Sequence, residues 1–229
     1  MRIIFVRHAE PDYANDTLTE KGWREAALLA ERVSGWDVTD FYVSPLGRAR
    51  DTASLSLKKM GRTAETFDWL REFHGPVNDP TRGENVIPWD FYPEYWTKIP
   101  EMYDKDGFGN TEVMKSGRVM EEYVRISGEL DALLAKYGYV REGGLYRTNK
   151  TEGAAHDATI VTLFLCSHLL GISPVVLTSG FFLAPASVTV LASEERCPGT
   201  AYFRCQTAGD TSHLRAGGEP VSEMGYFTE

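Results

Sequence analysis

Ile3, Ile4, Phe5 and Val6 form an unbroken apolar run that stops at Arg7-His8. A strand with one wet face alternates apolar and polar residues, whereas a continuous run of four suits a strand covered on both faces. Such a strand needs a layer of structure on each side, so the fold must be layered. The expectation is a three-layer α/β/α architecture with a central, mainly parallel sheet. In open parallel sheets ligands bind beyond the carboxyl ends of the strands. A cation followed by an imidazole at that position can hold and attack an anion. It can equally be two polar residues at a surface, and Arg7-His8 alone does not decide.

The next elements repeat the arrangement. Thr19 is a suitable N-cap for a helix whose apolar positions run from Trp23 through Ala26, Leu29 and Ala30 to Val33, with Gly35 as a stop. Phe41-Tyr42-Val43 is a second short strand, and it leads into Ser44-Pro45-Leu46-Gly47-Arg48 and a helix through Met60, with Pro45 in its first turn. Arg48 is thus delivered at a helix N-terminus, where backbone N–H groups also favour an anion. Arg50 reads as a solvated position on the same helix. A third strand is expected over 64–67.

From about 73 to 112 the periodicity breaks down. Five prolines punctuate a stretch holding Trp89, Phe91, Tyr92, Tyr95, Trp96, Tyr103 and Phe108. The whole chain, 1–229, reads as one domain with this stretch inserted. The insertion is either a functional lid or a satellite cluster packed on the core. A long helix is expected over 111–137, ended by Gly138, then a hairpin turning at Gly143-Gly144. Residues 158–170 read as a buried helix, 187–191 and 201–205 as strands flanking a Pro-Gly turn, and the chain from Thr207 as loop.

Formal net charge is −9, so neither a nucleic-acid backbone nor an anionic membrane is an expected partner. No secretory leader pattern or membrane-length apolar run occurs, and the three cysteines show no CxxC spacing; a cytoplasmic location is expected. The aromatic surface of the insertion could also pair two copies as a homodimer.

Taken in order, these segments resemble the histidine phosphatase superfamily, also called phosphoglycerate mutase-like. Arg7-His8 matches its opening Arg-His-Gly with Ala9 in place of glycine. Leu18-Thr19-Glu20-Lys21-Gly22 with Glu25-Ala26 is similar to its first helix, and Ser44-Pro45-Leu46-Gly47-Arg48-Ala49 with Thr52-Ala53 to its second arginine motif. Leu70-Arg71-Glu72 with Gly75 resembles the proton-donor segment, and Ser187–Leu191 with Ser212-His213-Leu214 its C-terminal region.

The resemblance implies phosphoryl transfer through a phosphohistidine on His8, with Arg7 and Arg48 clamping a small phosphorylated substrate and no cofactor or metal required. It also implies a second histidine, for which His156 is the best placed; His74 reads as a surface-loop residue, and His168 and His213 as structural. For the acid, Glu72 stands in the context of the mutase-like branch. Asp157, after His156, resembles the His-Asp pair of the phytase branch, or it caps a helix. Phosphomonoester hydrolysis is the leading expectation; a phosphoryl isomerase and a non-catalytic phosphate-binding module are the rivals.

Overall fold

A computed structural model describes residues 1–71, 75–149, 157–160 and 163–225; for 157–160, 163 and 164 it describes the backbone alone. Strand β1 (Arg2–Val6) lies inside an eight-stranded sheet. Its side chains alternate between two cores, as the apolar run requires. Ile3 and Phe5 join the larger cluster, while Ile4 and Val6 face Leu29, Val33, Phe41 and Val188 on the other side. All four are at most 5% exposed, and each such side chain contributes roughly 1.5–3 kcal/mol by leaving water.

Helix α1 (Glu20–Val33) starts at the expected cap, where the Thr19 side chain accepts from the Gly22 N–H; Ser34, one residue before Gly35, caps its other end. Strand β2 (Asp40–Val43) leads into helix α2 (Gly47–Met60), with Leu46 at the N-cap and Pro45 just outside the first turn. Strand β3 (Glu65–Thr66) follows. Helix α3 (Val119–Lys136) is shorter than the sequence pattern suggests. The chain breaks after a separate turn of helix, Glu112–Lys115. The break falls at Gly117, where an added Cβ would lie 2.4 Å from the Pro76 carbonyl oxygen, so the chain must cross here without a side chain.

Strands β4 (Tyr139–Glu142) and β5 (Leu145–Thr148) form the expected hairpin, with Gly143 at φ 58° in its turn. Strand β6 (Asp157–Ile160) occupies the start of the segment expected to be helical, and helix α4 (Leu163–Leu170) is only its second half. Helix α5 (Pro174–Gly180) precedes two long strands, β7 (Val188–Cys197) and β8 (Thr200–Asp210). The last strand and helix α6 (Ser212–Ala216) replace the loop expected after Thr207.

The sheet order is β3-β2-β6-β1-β7-β8-β5-β4. This overturns the expectation of a mainly parallel sheet. Among the described residues the three pairings from β3 to β1 are parallel and the four from β1 to β4 are antiparallel. The reason is covalent: β7 and β8 are joined through Pro198-Gly199, and β4 and β5 through Gly143-Gly144, and a two-residue link can join only antiparallel strands. β1 is the seam between the two halves.

The aromatic insertion packs in part as core. Phe91, Met102 and Phe108 are buried in the same cluster as Ile3 and Phe5, while Ile87, Tyr92 and Tyr103 remain at least half exposed. No described helix is long and apolar enough to cross a membrane.

Candidate active site

Where β1 ends, the main chain is held by the turn before β7. The Arg7 N–H donates to the Ser187 carbonyl and the Ala186 N–H to the His8 carbonyl, both at 3.0 Å. The Arg7 guanidinium donates to the Leu183 carbonyl, and its other face lies against Gly225, where a Cβ would stand 3.2 Å from Nη2.

The His8 ring has a defined orientation. Nδ1 is 2.9 Å from the Ala9 carbonyl oxygen. A carbonyl can only accept, so in the neutral ring this contact assigns the proton to Nδ1 and leaves the lone pair on Nε2. The Ala9 N–H donates to Thr52 Oγ1 at 3.0 Å, and that hydroxyl donates to the Arg48 carbonyl at 2.8 Å. Thr52 therefore ties the His8 loop to the first turns of α2. Ala9 is fully buried and is not among the positive-φ residues, so its backbone does not require the glycine of the family motif.

Arg48 is 8% exposed, whereas Arg50 on the same helix is exposed. Its Nη1 donates to Asp16 Oδ1 and the Gly47 N–H to Asp16 Oδ2, each at 2.7 Å. One carboxylate thus holds both the guanidinium and the helix N-terminus. The Gly47 N–H is the main cause holding the Asp16 carboxyl below its usual range, with Arg48 acting in the same sense. Gly47 has no room for a side chain, since a Cβ would lie 1.9 Å from the Asp16 carbonyl oxygen.

Tyr13 links the two motifs. The Arg48 guanidinium sits 5.2 Å from the centre of its ring, and the His8 ring meets it edge-on at 6.4 Å. Behind the loop, the Glu10 N–H donates to Glu25 Oε2 at 2.8 Å, and Glu25 is fully buried with Lys21 Nζ 2.5 Å away. Burial pushes the Glu25 carboxyl up, against the pull of Lys21. Glu10 in turn accepts from Thr19 and, at 2.6 Å, from Ser222 near the other end of the chain.

Arg7, His8 and Arg48 are therefore brought together at the carboxyl edge of β1 and β2. Glu72, His74 and His156 lie outside the described residues. The segment leading to Glu72 leaves β3 at that same edge, because β3 runs parallel to β2; it is fixed by stacking of Phe67 between Tyr42 and Trp69 and by buried Leu70. The Asp157 backbone opens β6 paired with Arg2, at the opposite end of β1 from His8. At about 3.3 Å per residue the two stand roughly 20 Å apart. His168 Nε2 is 2.9 Å from Asp131, away from this edge. Sequence reasoning missed Tyr13 and Asp16. Both lie in the tight turn between the short paired segments Pro11–Asp12 and Thr17–Leu18, a turn with no apolar period to mark it. A separate open cleft of about 770 Å³, lined by Thr81, Tyr92, Tyr95 and Lys98 in the insertion, includes none of Arg7, His8 or Arg48.

A neutral imidazole with its lone pair on Nε2, next in the chain to one arginine and linked through Tyr13 to another, can meet a tetrahedral oxyanion. Residues 3–126 match the family described as the histidine phosphatase superfamily (branch 1), and the chain belongs to it. Among curated proteins, it is 40% identical over 79 residues to a 2,3-bisphosphoglycerate-dependent phosphoglycerate mutase of Thermoplasma acidophilum, covering 30% of this chain and 40% of the relative. It is 29% identical over 107 residues to a probable phosphoglycerate mutase, GpmB, of Serratia proteamaculans, covering 43% and 48%. The matched stretch thus spans less than half of either relative. Among solved structures, a mycobacterial glucosyl-3-phosphoglycerate phosphatase superposes with a TM-score of 0.60 at 19% identity, over 92% of this chain and 99% of that one. A variant phosphoserine phosphatase from Entamoeba histolytica, in complex with phosphoserine, gives 0.59 at 16% identity over 93% and 98%. At these identities the likeness is one of fold.

Proposed function

We propose that this protein hydrolyses small phosphomonoesters, without a metal, through a phosphohistidine on His8. The observation that carries the reading is the His8 Nδ1–Ala9 carbonyl contact, which leaves the lone pair on Nε2, with Arg48 linked to the same ring through Tyr13. Nε2 attacks phosphorus, the ester P–O bond breaks, and the leaving oxygen takes a proton from an acid. The resulting carboxylate then removes a proton from water, which attacks phosphorus and breaks the P–N bond, releasing phosphate and neutral His8. Arg7 and Arg48 neutralise charge on the non-transferring oxygens in both steps.

Glu72 is our assignment for the acid. Its segment leaves β3 at the edge where His8 lies, whereas the Asp157 backbone begins β6 at the other. His156 is not retained as the second histidine, because it directly precedes Asp157, whose backbone begins β6 at the end of β1 opposite His8. A second reading is phosphoglycerate mutase-like isomerisation, favoured by the names of the curated relatives that match part of this chain. Water exclusion is what would separate the two outcomes.

The test is p-nitrophenyl phosphate hydrolysis with excess chelator, followed by a panel of phosphorylated metabolites. We expect turnover that survives chelation and falls at least about a thousandfold in His8→Ala. Positional exchange of phosphate with no release of free phosphate would establish the mutase instead. Inactivity across the panel would leave a phosphate-binding module.

A further inference from the structure

The Ala9–Glu10 peptide meets a hydrogen-bond partner on each of its two edges. Its carbonyl is the oxygen 2.9 Å from His8 Nδ1, and its N–H donates to Glu25 Oε2 at 2.8 Å. No described peptide is cis, and a trans amide is a rigid plane whose C=O and N–H point opposite ways. Whatever fixes the N–H therefore also aims the carbonyl at the His8 ring. The two hydrogen bonds polarise one another through that plane, so an acceptor on the N–H strengthens the carbonyl as an acceptor from Nδ1.

Glu25 is held for this contact. It is fully buried on α1, and Lys21, one turn earlier, donates to its other oxygen, Oε1, at 2.5 Å and to the Pro220 carbonyl at 2.6 Å. Gly22 lets α1 come this close to the loop, since a Cβ there would lie 2.2 Å from the Glu10 carbonyl oxygen. Glu10 belongs to neither helix nor strand, so no ladder supplies an acceptor for its N–H. A buried ion pair is often no more stabilising than apolar residues of the same volume. What this one adds is the acceptor. Because Lys21 offsets the carboxylate charge, a hydrogen bond rather than a net charge is what reaches the loop.

We infer that Glu25 is a positioning residue for the nucleophile: it turns the Ala9–Glu10 peptide so that the Ala9 carbonyl keeps the His8 proton on Nδ1 and the lone pair on Nε2. The tautomer of a neutral imidazole is set by the hydrogen bonds its nitrogens make, so a carbonyl turned away weakens the preference for Nδ1–H. The inference rests on the reading of His8 as nucleophile.

The experiment compares two double variants with the wild-type protein, both carrying Lys21→Met so that no ammonium is left facing an uncharged partner. Glu25→Gln keeps a carbonyl oxygen for the Glu10 N–H, whereas Glu25→Met has nearly the same length and no comparable acceptor. Folding of each variant is checked by circular dichroism. With p-nitrophenyl phosphate, Glu25→Met with Lys21→Met is expected to lower kcat about tenfold with KM within about twofold. Glu25→Gln with Lys21→Met is expected to stay within about threefold of the wild-type kcat. Should Glu25→Met with Lys21→Met not fold, Glu25→Leu in the same background takes its place with the same expectation.

Equal kcat in the two double variants overturns the inference, as does a difference confined to thermal stability. A second readout does not depend on turnover: the ¹⁵N shifts of the His8 ring, assigned by their absence from His8→Ala, report its tautomer. The wild-type protein and Glu25→Gln with Lys21→Met should show Nδ1–H, and Glu25→Met with Lys21→Met a mixed population. If that pattern appears while the wild-type protein hydrolyses nothing, the positioning of His8 stands and the phosphatase reading fails. If all three proteins show Nδ1–H alike, the positioning role fails whatever the activity.

Discussion

Three of the five histidines show how surroundings decide what an imidazole can do. His8 carries its lone pair on Nε2 because a carbonyl takes its proton-bearing nitrogen. His168 meets a carboxylate, Asp131, and becomes part of a half-buried polar cluster with Tyr146. His213 is pushed down to about 4, first by burial and then by the neighbouring Arg32 charge, against the weaker upward pull of Asp210 and the Ala186 backbone. The sign of its effect on stability follows. Between its ordinary value of 6.5 and about 4, the unfolded chain binds a proton that the folded protein refuses. Stability from this group is complete above 6.5 and is lost as pH falls to 4, by about 3 kcal/mol. In urea unfolding at a series of pH values, wild-type protein should weaken over that window more steeply than His213→Gln. Parallel pH profiles for the two would rule the explanation out. Arg7, His8 and Arg48 were legible in the sequence because each sits in a local motif at a strand or helix end. Tyr13, Asp16 and Ala186 were not, because each acts on a partner brought near only by the fold.

Helices were read well where a cap or a turn is local, and poorly where a distant chain interrupts them. Thr19 caps α1 as its residue type and position suggest. The break before α3 has no signature of its own, because it is imposed by the approach of Pro76 to Gly117. The fold class failed for a related reason. Apolar runs reveal strands but not their direction, and the short links at Gly143-Gly144 and Pro198-Gly199 enforce antiparallel pairing locally without showing that these strands extend the sheet from β1. At this scale Gly47 offers a direct test, since α2 carries Arg48 and begins against Asp16. A methyl group 1.9 Å from a carbonyl oxygen must move one of the two segments. Gly47→Ala is expected to destabilise by about 1–3 kcal/mol and, by displacing Arg48, to weaken inorganic phosphate binding about tenfold. Calorimetric titration with phosphate and urea unfolding measure the two effects; unchanged affinity would place the phosphate elsewhere than against Arg48.

In the molecule as a whole, the candidate site lies at the seam strand, where the parallel and antiparallel halves of the sheet meet. Its parts come from β1, α2 and the turn before β7, so an anion bound there fastens both halves to one another. Vanadate or phosphate at about a hundred times its dissociation constant should therefore stabilise the folded state by about 2.7 kcal/mol. The thermal midpoint should rise accordingly in wild-type protein and much less in Arg48→Ala. Equal shifts in both proteins would mean that binding does not involve Arg48.

The pairing of β1 with β7 also has a consequence in time. The Ser187 carbonyl that receives the Arg7 N–H, the Ala186 N–H that fixes His8, and Ser222 on Glu10 are all made long after their partners. At about 5–20 residues per second, the first strand waits on the order of ten seconds or more for its neighbour. During that interval its four apolar residues lack one flank, and a nascent chain halted before residue 186 carries every atom of His8 without the frame that aims it. The main chain at His8 is thus framed only after residues 186 and 187 have docked against the end of β1.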